Sequence, residues 1–284
     1  MNVHDVASGP HDGKKVFRQL GTCSRTFFHI LNREFGHPKT LEERAADALA
    51  GGILQKGHQC GMLWGASLAI GAEAYRSTAN RNLAIPIAIK ATQNVMVSFN
   101  MREGTMNCRD ITRCDFSNKW SYYKYMFSGR FLHCFNLAQE WAPEAVRSAA
   151  EALANEAPSP HTPCHSCATT VAINMGATEE QAVMVAGFAG GLGLSGQACG
   201  ALSAALWMRS LEWYSNEQKD MSAFKDPRLK AIAQHFDRVT GKKILCSEIT
   251  GTTFTSPLQH SRFIQKGGCA ELLDALTESR SLKG

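Results

Sequence analysis

The feature that most constrains this chain is a duplication written in its cysteines. Gly190-Gly191-Leu192-Gly193-Leu194-Ser195-Gly196-Gln197-Ala198-Cys199-Gly200-Ala201 is a glycine-rich loop that leads into a cysteine and then into an apolar stretch. A second version stands earlier, as Gly51-Gly52, Gly57 and Cys60-Gly61-Met62-Leu63-Trp64-Gly65. Cys60 and Cys199 are 139 residues apart, Cys108 and Cys246 138, Cys134 and Cys269 135, and Cys23 and Cys167 144. The larger last offset is ascribed to a longer loop, Phe35-Gly36-His37-Pro38-Lys39-Thr40, in the first copy. Only Cys114 and Cys164 lack a counterpart. Flanking residues agree, with Asn107-Cys108-Arg109-Asp110-Ile111-Thr112 set against Leu245-Cys246-Ser247-Glu248-Ile249-Thr250. Solenoid repeats have periods of about 20–50 residues; a period near 138 means a duplicated domain.

A chain of 284 residues holds one large or two ordinary domains. The boundaries expected are 16–156 for the first unit and 164–284 for the second, joined by Ala157-Pro158-Ser159-Pro160-His161-Thr162-Pro163, whose three prolines exclude a helix interior. Apolar content of 44% with 19% charged residues is that of a folded, soluble protein. The net charge of +5, with no dense Lys/Arg run, argues against nucleic acid as partner. No signal-peptide core and no membrane-length apolar run is present, so a cytoplasmic protein is expected. Thiols stay reduced there, and ten cysteines then suggest metal binding or redox chemistry rather than a disulfide frame.

The fold expected is all-α: two tandem, pseudo-symmetric helical bundles with cysteines at helix N-termini. After a polar tail to about Lys14, helices are expected over 16–35, from Thr40 (a capping box with Glu43) to about Leu54, and over 60–76, 81–101 and 133–155. The second copy repeats this with helices over 167–175, from a cap at Thr178 with Gln181, and over 199–214, 227–240 and 269–277. Residues 107–128 and 246–262 read as irregular, with room for a short hairpin in 113–128. The aromatic cluster 116–127 reads as packing.

A helix N-terminus carries unpaired N–H groups and about half a positive charge. Both favour thiolate over thiol, and thiolates ligate metals and attack disulfides. Within the units the cysteines stand 37, 48 and 26 residues apart, then 32, 47 and 23. These are not the short C-x-x-C spacings of zinc ribbons or bacterial ferredoxins. Each ligand would come from a separate helix start, converging at one end of a bundle. Four thiolates suit a [2Fe–2S] or [4Fe–4S] cluster, or zinc; spacing does not choose among them, nor exclude dithiol pairs. Cys164-His165-Ser166-Cys167 is a C-x-x-C without the strand a thioredoxin-like motif follows, and Ala168 excludes covalent haem attachment. Gly191-x-Gly193-x-x-Gly196 matches a dinucleotide loop in letters only. His58, His133 and His260 lie near cysteines.

At these residues the chain resembles the redox-active family named for its cysteine pattern, C…GCAxxG…C…C. Ser166-Cys167-Ala168-Thr169 is similar to its first cysteine, Gly190 through Ala201 to its glycine-rich core, Cys246 and Gly267-Gly268-Cys269 to its third and fourth. The first copy is more diverged, with Cys23, Cys60-Gly61, Cys108 and Cys134 matching. Met62 replaces an alanine there while Gly65 is kept; Ala204 replaces the last glycine in the second copy. The resemblance implies redox activity through the cysteines. A more distant similarity to split-Soret cytochromes implies that such cysteines can hold an iron–sulfur centre, without the haem sites.

The expectation is therefore a redox-active protein with metal or cluster ligands Cys23, Cys60, Cys108 and Cys134 in one unit and Cys167, Cys199, Cys246 and Cys269 in the other. It would serve as an oxidoreductase or electron-transfer subunit with a redox partner protein. Two fused units form a pseudo-dimer within one chain, which leaves room for a homo-oligomer. The alternatives are a metal-free thiol–disulfide or persulfide protein, with Cys199, Cys60, Cys164 and Cys167 as redox candidates, and a structural zinc protein.

Overall fold

The computed structural model describes residues 10–155, 164–216 and 222–278. Among them it is all-helical: α1 (Gly13–Leu20), α2 (Cys23–Glu34), α3 (Thr40–Ala45), α4 (Gly61–Thr78), α5 (Arg81–Glu103), α6 (Cys108–Thr112), α7 (Lys119–Phe127) and α8 (Phe131–Asn155), then α9 (Cys167–Asn174), α10 (Glu179–Met184), α11 (Gly200–Asn216), α12 (Pro227–Thr240), α13 (Cys246–Thr250), α14 (Pro257–Gln265) and α15 (Ala270–Glu278). The duplication is now explicit. Helices α2 to α8 recur in order as α9 to α15, and α1 stands outside the repeat, packed on α8 through Phe17 and Phe135 (ring centroids 4.7 Å apart). The expected proline-rich linker lies outside the described residues.

The two units interlock. α4 is apolar on every side and buried from Gly61 to Ala72, as a core helix must be. It packs on α2 within its own unit and on α10 of the other; α11 packs on α9 and, reciprocally, on α3. Close approach of α4 to the second unit is possible because Gly71 has no side chain: a Cβ there would stand 2.3 Å from the Val183 carbonyl oxygen. Buried Gln59 stitches the units, its amide donating to the Gly191 carbonyl at 3.0 Å and its oxygen accepting from the Ala198 N–H at 3.3 Å. One continuous apolar core spans both units, with Phe27, Trp64, Trp141, Phe188, Trp207 and Phe236 at its centre.

Several expectations need correction. The helix expected over 16–35 is two helices, broken at Gly21, whose φ of 81° closes α1 with a left-handed cap. The longer Cys23–Cys60 spacing is mainly helix, not loop: α2 has 12 residues where α9 has 8, one extra turn. Thr40 does not cap α3; Lys39 holds that position without a side-chain bond, and Glu43 turns instead to Arg25 and His29. The capping box at Thr178 and Gln181 does form. The stretches read as irregular hold α6, α7, α13 and α14, with no hairpin. Asn118 and Ser256 start α7 and α14 by accepting backbone N–H bonds at the N-cap. Among the described residues no helix is long and apolar enough to cross a membrane.

Candidate redox centres

Seven of the eight paired cysteines sit at helix starts. Cys23, Cys108, Cys167 and Cys246 are the first residues of α2, α6, α9 and α13; Cys60, Cys199 and Cys269 immediately precede α4, α11 and α15. Cys134 lies one turn inside α8.

Two devices bring them together, and both occur twice. The first is an isolated antiparallel bridge, Gln59 with Asn107 and Ala198 with Leu245. It ties the second cysteine of each unit to the third. The Cys60 N–H donates to Met106 and the Cys108 N–H to His58, both at 2.7 Å; Cys199 donates to Ile244 at 2.9 Å and Cys246 to Gln197 at 2.6 Å. The second device is a left-handed turn. Gly51 to Gln55 and Gly190 to Leu194 are each five consecutive residues with φ between 49° and 85°. Left-handed backbone costs L-residues about 1–2 kcal/mol apiece, yet Ile53, Leu54, Gln55, Leu192 and Leu194 all adopt it. The return on that strain is a main-chain donor at the site: the Gly51 N–H bonds the Cys23 sulfur and the Gly190 N–H bonds Cys167. Cys199 similarly receives the N–H groups of Ala201 and Leu202 at the start of α11.

The sulfurs of each unit face one another. In the second unit Cys167, Cys199, Cys246 and Cys269 line one small cavity, about 20 Å³ for a water-sized sphere, with an apolar accessible wall completed by Phe254 and Phe263. In the first unit Cys23 and Cys60 are in direct sulfur–sulfur hydrogen bonding, and Cys108 and Cys134 lie within electrostatic range of Cys23. Phe116 and Tyr125 correspond to Phe254 and Phe263; the ring pairs stand 5.4 and 5.1 Å apart. The Tyr125 hydroxyl donates to the Cys134 sulfur at 3.7 Å, a bond that Phe263 cannot make. All ten cysteines are free thiols, and among the described residues no three His, Cys, Asp or Glu side chains are closed around one point in metal-ligand geometry.

The expectation of depressed thiol pKa values is overturned for most of these groups. Burial pushes Cys134 and Cys199 up to about 11 and Cys246 to about 12, and raises Cys108, Cys167 and Cys269 as well; Cys60 is raised first by the hydrogen bond it donates to Cys23 and then by burial. Desolvation of the charged form outweighs the helix-start donors. Cys23 is the exception: the Cys60 S–H and the N–H groups of Gly51 and Ser24 hold its thiol below the usual range.

The remaining candidates are dispersed. Cys164 is buried, pushed up to about 11, and donates to the Pro257 carbonyl at 3.7 Å, while Cys167 turns to its quartet. Cys114 is buried near Cys108 and accepts from Ser121 at 3.7 Å. His58 serves its bridge through its carbonyl, and His133 pairs with Glu103 at 2.9 Å on the surface. His260, 1% exposed, borders the second cavity; burial drives its pKa down to about 4, and its Nδ1 has no partner among the described residues. The dinucleotide-like glycines form the left-handed turn, with a short 3₁₀ segment rather than a strand before it.

A family model described as "Putative redox-active protein (C_GCAxxG_C_C)" matches the chain twice, over residues 22–149 and 163–279. The chain belongs to this family. Both matches carry all four cysteines of their unit, so the C_GCAxxG_C_C pattern is the one that the bridges and left-handed turns assemble. No curated protein and no solved structure matches the chain, and the expected likeness to split-Soret cytochromes is not shown.

Proposed function

We propose that this chain is a redox protein whose two cysteine quartets each take up an iron–sulfur cluster, [2Fe–2S] or [4Fe–4S], and exchange single electrons with a partner protein. The observation that carries this reading is the convergence of Cys167, Cys199, Cys246 and Cys269, from four separate helix starts, on one apolar cavity. The donor chemistry suits such a group: four thiols, main-chain N–H groups aimed at sulfur, and a dry wall. Thiols that burial keeps protonated, as at Cys199 and Cys246, are poor nucleophiles at neutral pH. They are good ligands in waiting, because a cation offsets the desolvation cost and releases the protons. A bound cluster would supply a one-electron couple. The chain's own residues hold and tune: Gly51, Gly190, Ala201 and Leu202 donate to sulfur, Tyr125 donates to Cys134, and Phe254 and Phe263 wall the second quartet with apolar surface. Zinc is the structural alternative for the same ligands. A reducing, cytoplasmic setting goes with this reading.

A second reading is favoured by the Cys23–Cys60 contact. The Cys23 thiolate attacks a disulfide R–S–S–R′, forming Cys23–S–S–R and releasing R′–S⁻. Cys60, once deprotonated, attacks the Cys23 sulfur, releasing R–S⁻ and leaving a Cys23–Cys60 disulfide. Anaerobic purification separates the readings. Iron with an equal amount of acid-labile sulfide supports clusters, and zinc that restores folding supports the structural role. A colourless, metal-free protein whose Cys23 is alkylated fastest supports thiol exchange and sinks the cluster proposal.

A further inference from the structure

Among the described residues the surface of α7 stands apart. Trp120 and Phe127 are 83% and 88% exposed, and Tyr122, Tyr123 and Met126 are exposed beside them. The duplication supplies the control. On α14, the matching helix of the second unit, the exposed residues are Gln259, Arg262 and Gln265. α14 is also covered: α5 packs on it, and Ile85 and Ile87 of α5 share an apolar cluster with Phe254 and Phe263. The counterpart of α5 is α12, with 14 residues against 23; it starts at Pro227, and the described stretch before it is a single 3₁₀ turn, Ala223–Lys225, that packs on α12 and on residues 46–49. The aromatic face of the first unit is thus not something the fold demands. Large exposed apolar patches on otherwise polar surfaces mark interaction sites.

The inner face of the same helix serves the first quartet. Tyr125 donates to Cys134 and packs edge-on against Phe116, and Ser121 donates to Cys114. Trp120 and Phe127 are therefore on the outer side of a helix whose inner side touches the first quartet. Lys119 and Lys124 are exposed on it and have no carboxylate partner among the described residues; Arg113 and Arg130 flank it. At 100° per residue Lys119 falls between Tyr122 and Tyr123, and Lys124 beside Trp120. Cations interleaved with rings match a protein interface in which Trp and Tyr supply the anchors and the lysines steer an oppositely charged partner. A membrane-seated helix would segregate its cations from its apolar face. A second copy docking through the same patch would oppose like charges.

We propose that α7 is the docking site for a small redox protein with an acidic rim around an apolar contact patch, seated directly over the first cysteine quartet. This rests on the reading of that quartet as a redox centre. The probes are three purified acidic carriers: a plant-type ferredoxin, a two-cluster ferredoxin and a flavodoxin. Binding is titrated calorimetrically to the whole protein at about 20 and 500 mM salt, and dithionite reduction of the same preparations is followed separately. At least one carrier binds at low salt. The double variant Trp120→Ala/Phe127→Ala weakens it at least tenfold, and Lys119→Glu/Lys124→Glu weakens it at least tenfold at low salt but less than threefold at high salt. All variants keep the wild-type far-UV spectrum and the wild-type response to dithionite. Failure of all three carriers to bind, or binding indifferent to both variants, overturns the docking site while leaving the redox reading intact. Absence of any dithionite response in the wild type overturns the redox reading instead. Patch-dependent binding to phosphatidylserine vesicles, or patch-dependent self-association, with no carrier binding, would also overturn the docking site.

Discussion

Gly65→Ala tests the close packing that sets the first cysteine in place. Gly65 lies on α4 against α2, and a Cβ built on it would stand 2.0 Å from the Ser24 carbonyl oxygen and 3.0 Å from the Phe28 nitrogen. Contacts below 3.0 Å are not made by real Cβ atoms, so the two helices must part by about 1 Å. They cannot do so freely, because Phe27, Phe28, Ile30 and Leu31 on α2 are fully buried. Overpacking of this kind costs about 3 kcal/mol at the upper end, offset by about 1 kcal/mol for replacing glycine inside a helix. The net loss is about 2 kcal/mol, or a fall of roughly 4–8 °C in Tm for a chain of this size. Ser24 follows Cys23 directly, so the displacement also loosens the Cys23–Cys60 contact, and the Cys23 thiol titrates higher. Differential scanning calorimetry reads the first effect and the pH dependence of iodoacetamide labelling at Cys23, mapped by mass spectrometry, reads the second. The matching position in the second unit is Ala204, which is fully buried and already carries the methyl. Ala204→Gly should therefore cost about 1 kcal/mol of helix propensity plus the lost methyl burial, and leave Cys23 labelling untouched. A Gly65→Ala protein that melts at or above the wild type, with unchanged Cys23 labelling, would refute the packing argument.

Three further outcomes are expected. Tyr125→Phe removes the hydroxyl donor to Cys134; at about 1 kcal/mol for such a bond, the first unit's potential should fall by about 40 mV, the second's staying put, as read by redox titration. Gln59→Ala orphans the Gly191 carbonyl and the Ala198 N–H in the interior, destabilising the protein by roughly 2–4 kcal/mol in urea unfolding and raising amide exchange at Ala198. His260 is held neutral, near 4 against an ordinary 6.5, so below pH 6.5 the unfolded chain binds a proton that the native chain refuses. Stability should drop by about 3 kcal/mol as pH falls from 6.5 to 4, and His260→Phe should abolish that part of the slope in pH-dependent urea melts.

The duplication, the helical class and the helix-start placement of the cysteines were legible because each leaves a local mark: a recurring spacing, a 3.6-residue period, a glycine before the sulfur. Gly51-Gly52 and Gly190-Gly191 announced a special backbone. Ile53, Leu54 and Gln55 did not, since nothing in those side chains signals that tertiary packing will hold them left-handed. The bridges joining Cys60 to Cys108 and Cys199 to Cys246 were invisible because they are single residue pairs with no strand around them. Reading the thiols as depressed failed for a physical reason: the helix-start donors are local and can be read from the chain, whereas the desolvation that outweighs them comes from the surrounding fold. The aromatic cluster 116–127 was half legible. Phe116 and Tyr125 pack as expected, but Trp120 and Phe127 stand exposed, which nothing in their local sequence marks.

The most direct measurement is iron and acid-labile sulfide per chain in anaerobically purified wild type, Cys60→Ser and Cys199→Ser proteins, each checked for native fold by circular dichroism. Two clusters held by separate quartets predict equal iron and sulfide in the wild type and a loss of about half of both in each variant. A folded wild type that holds neither, even after incubation with ferrous iron and sulfide, and whose ten thiols all react with a thiol reagent, would contradict the account.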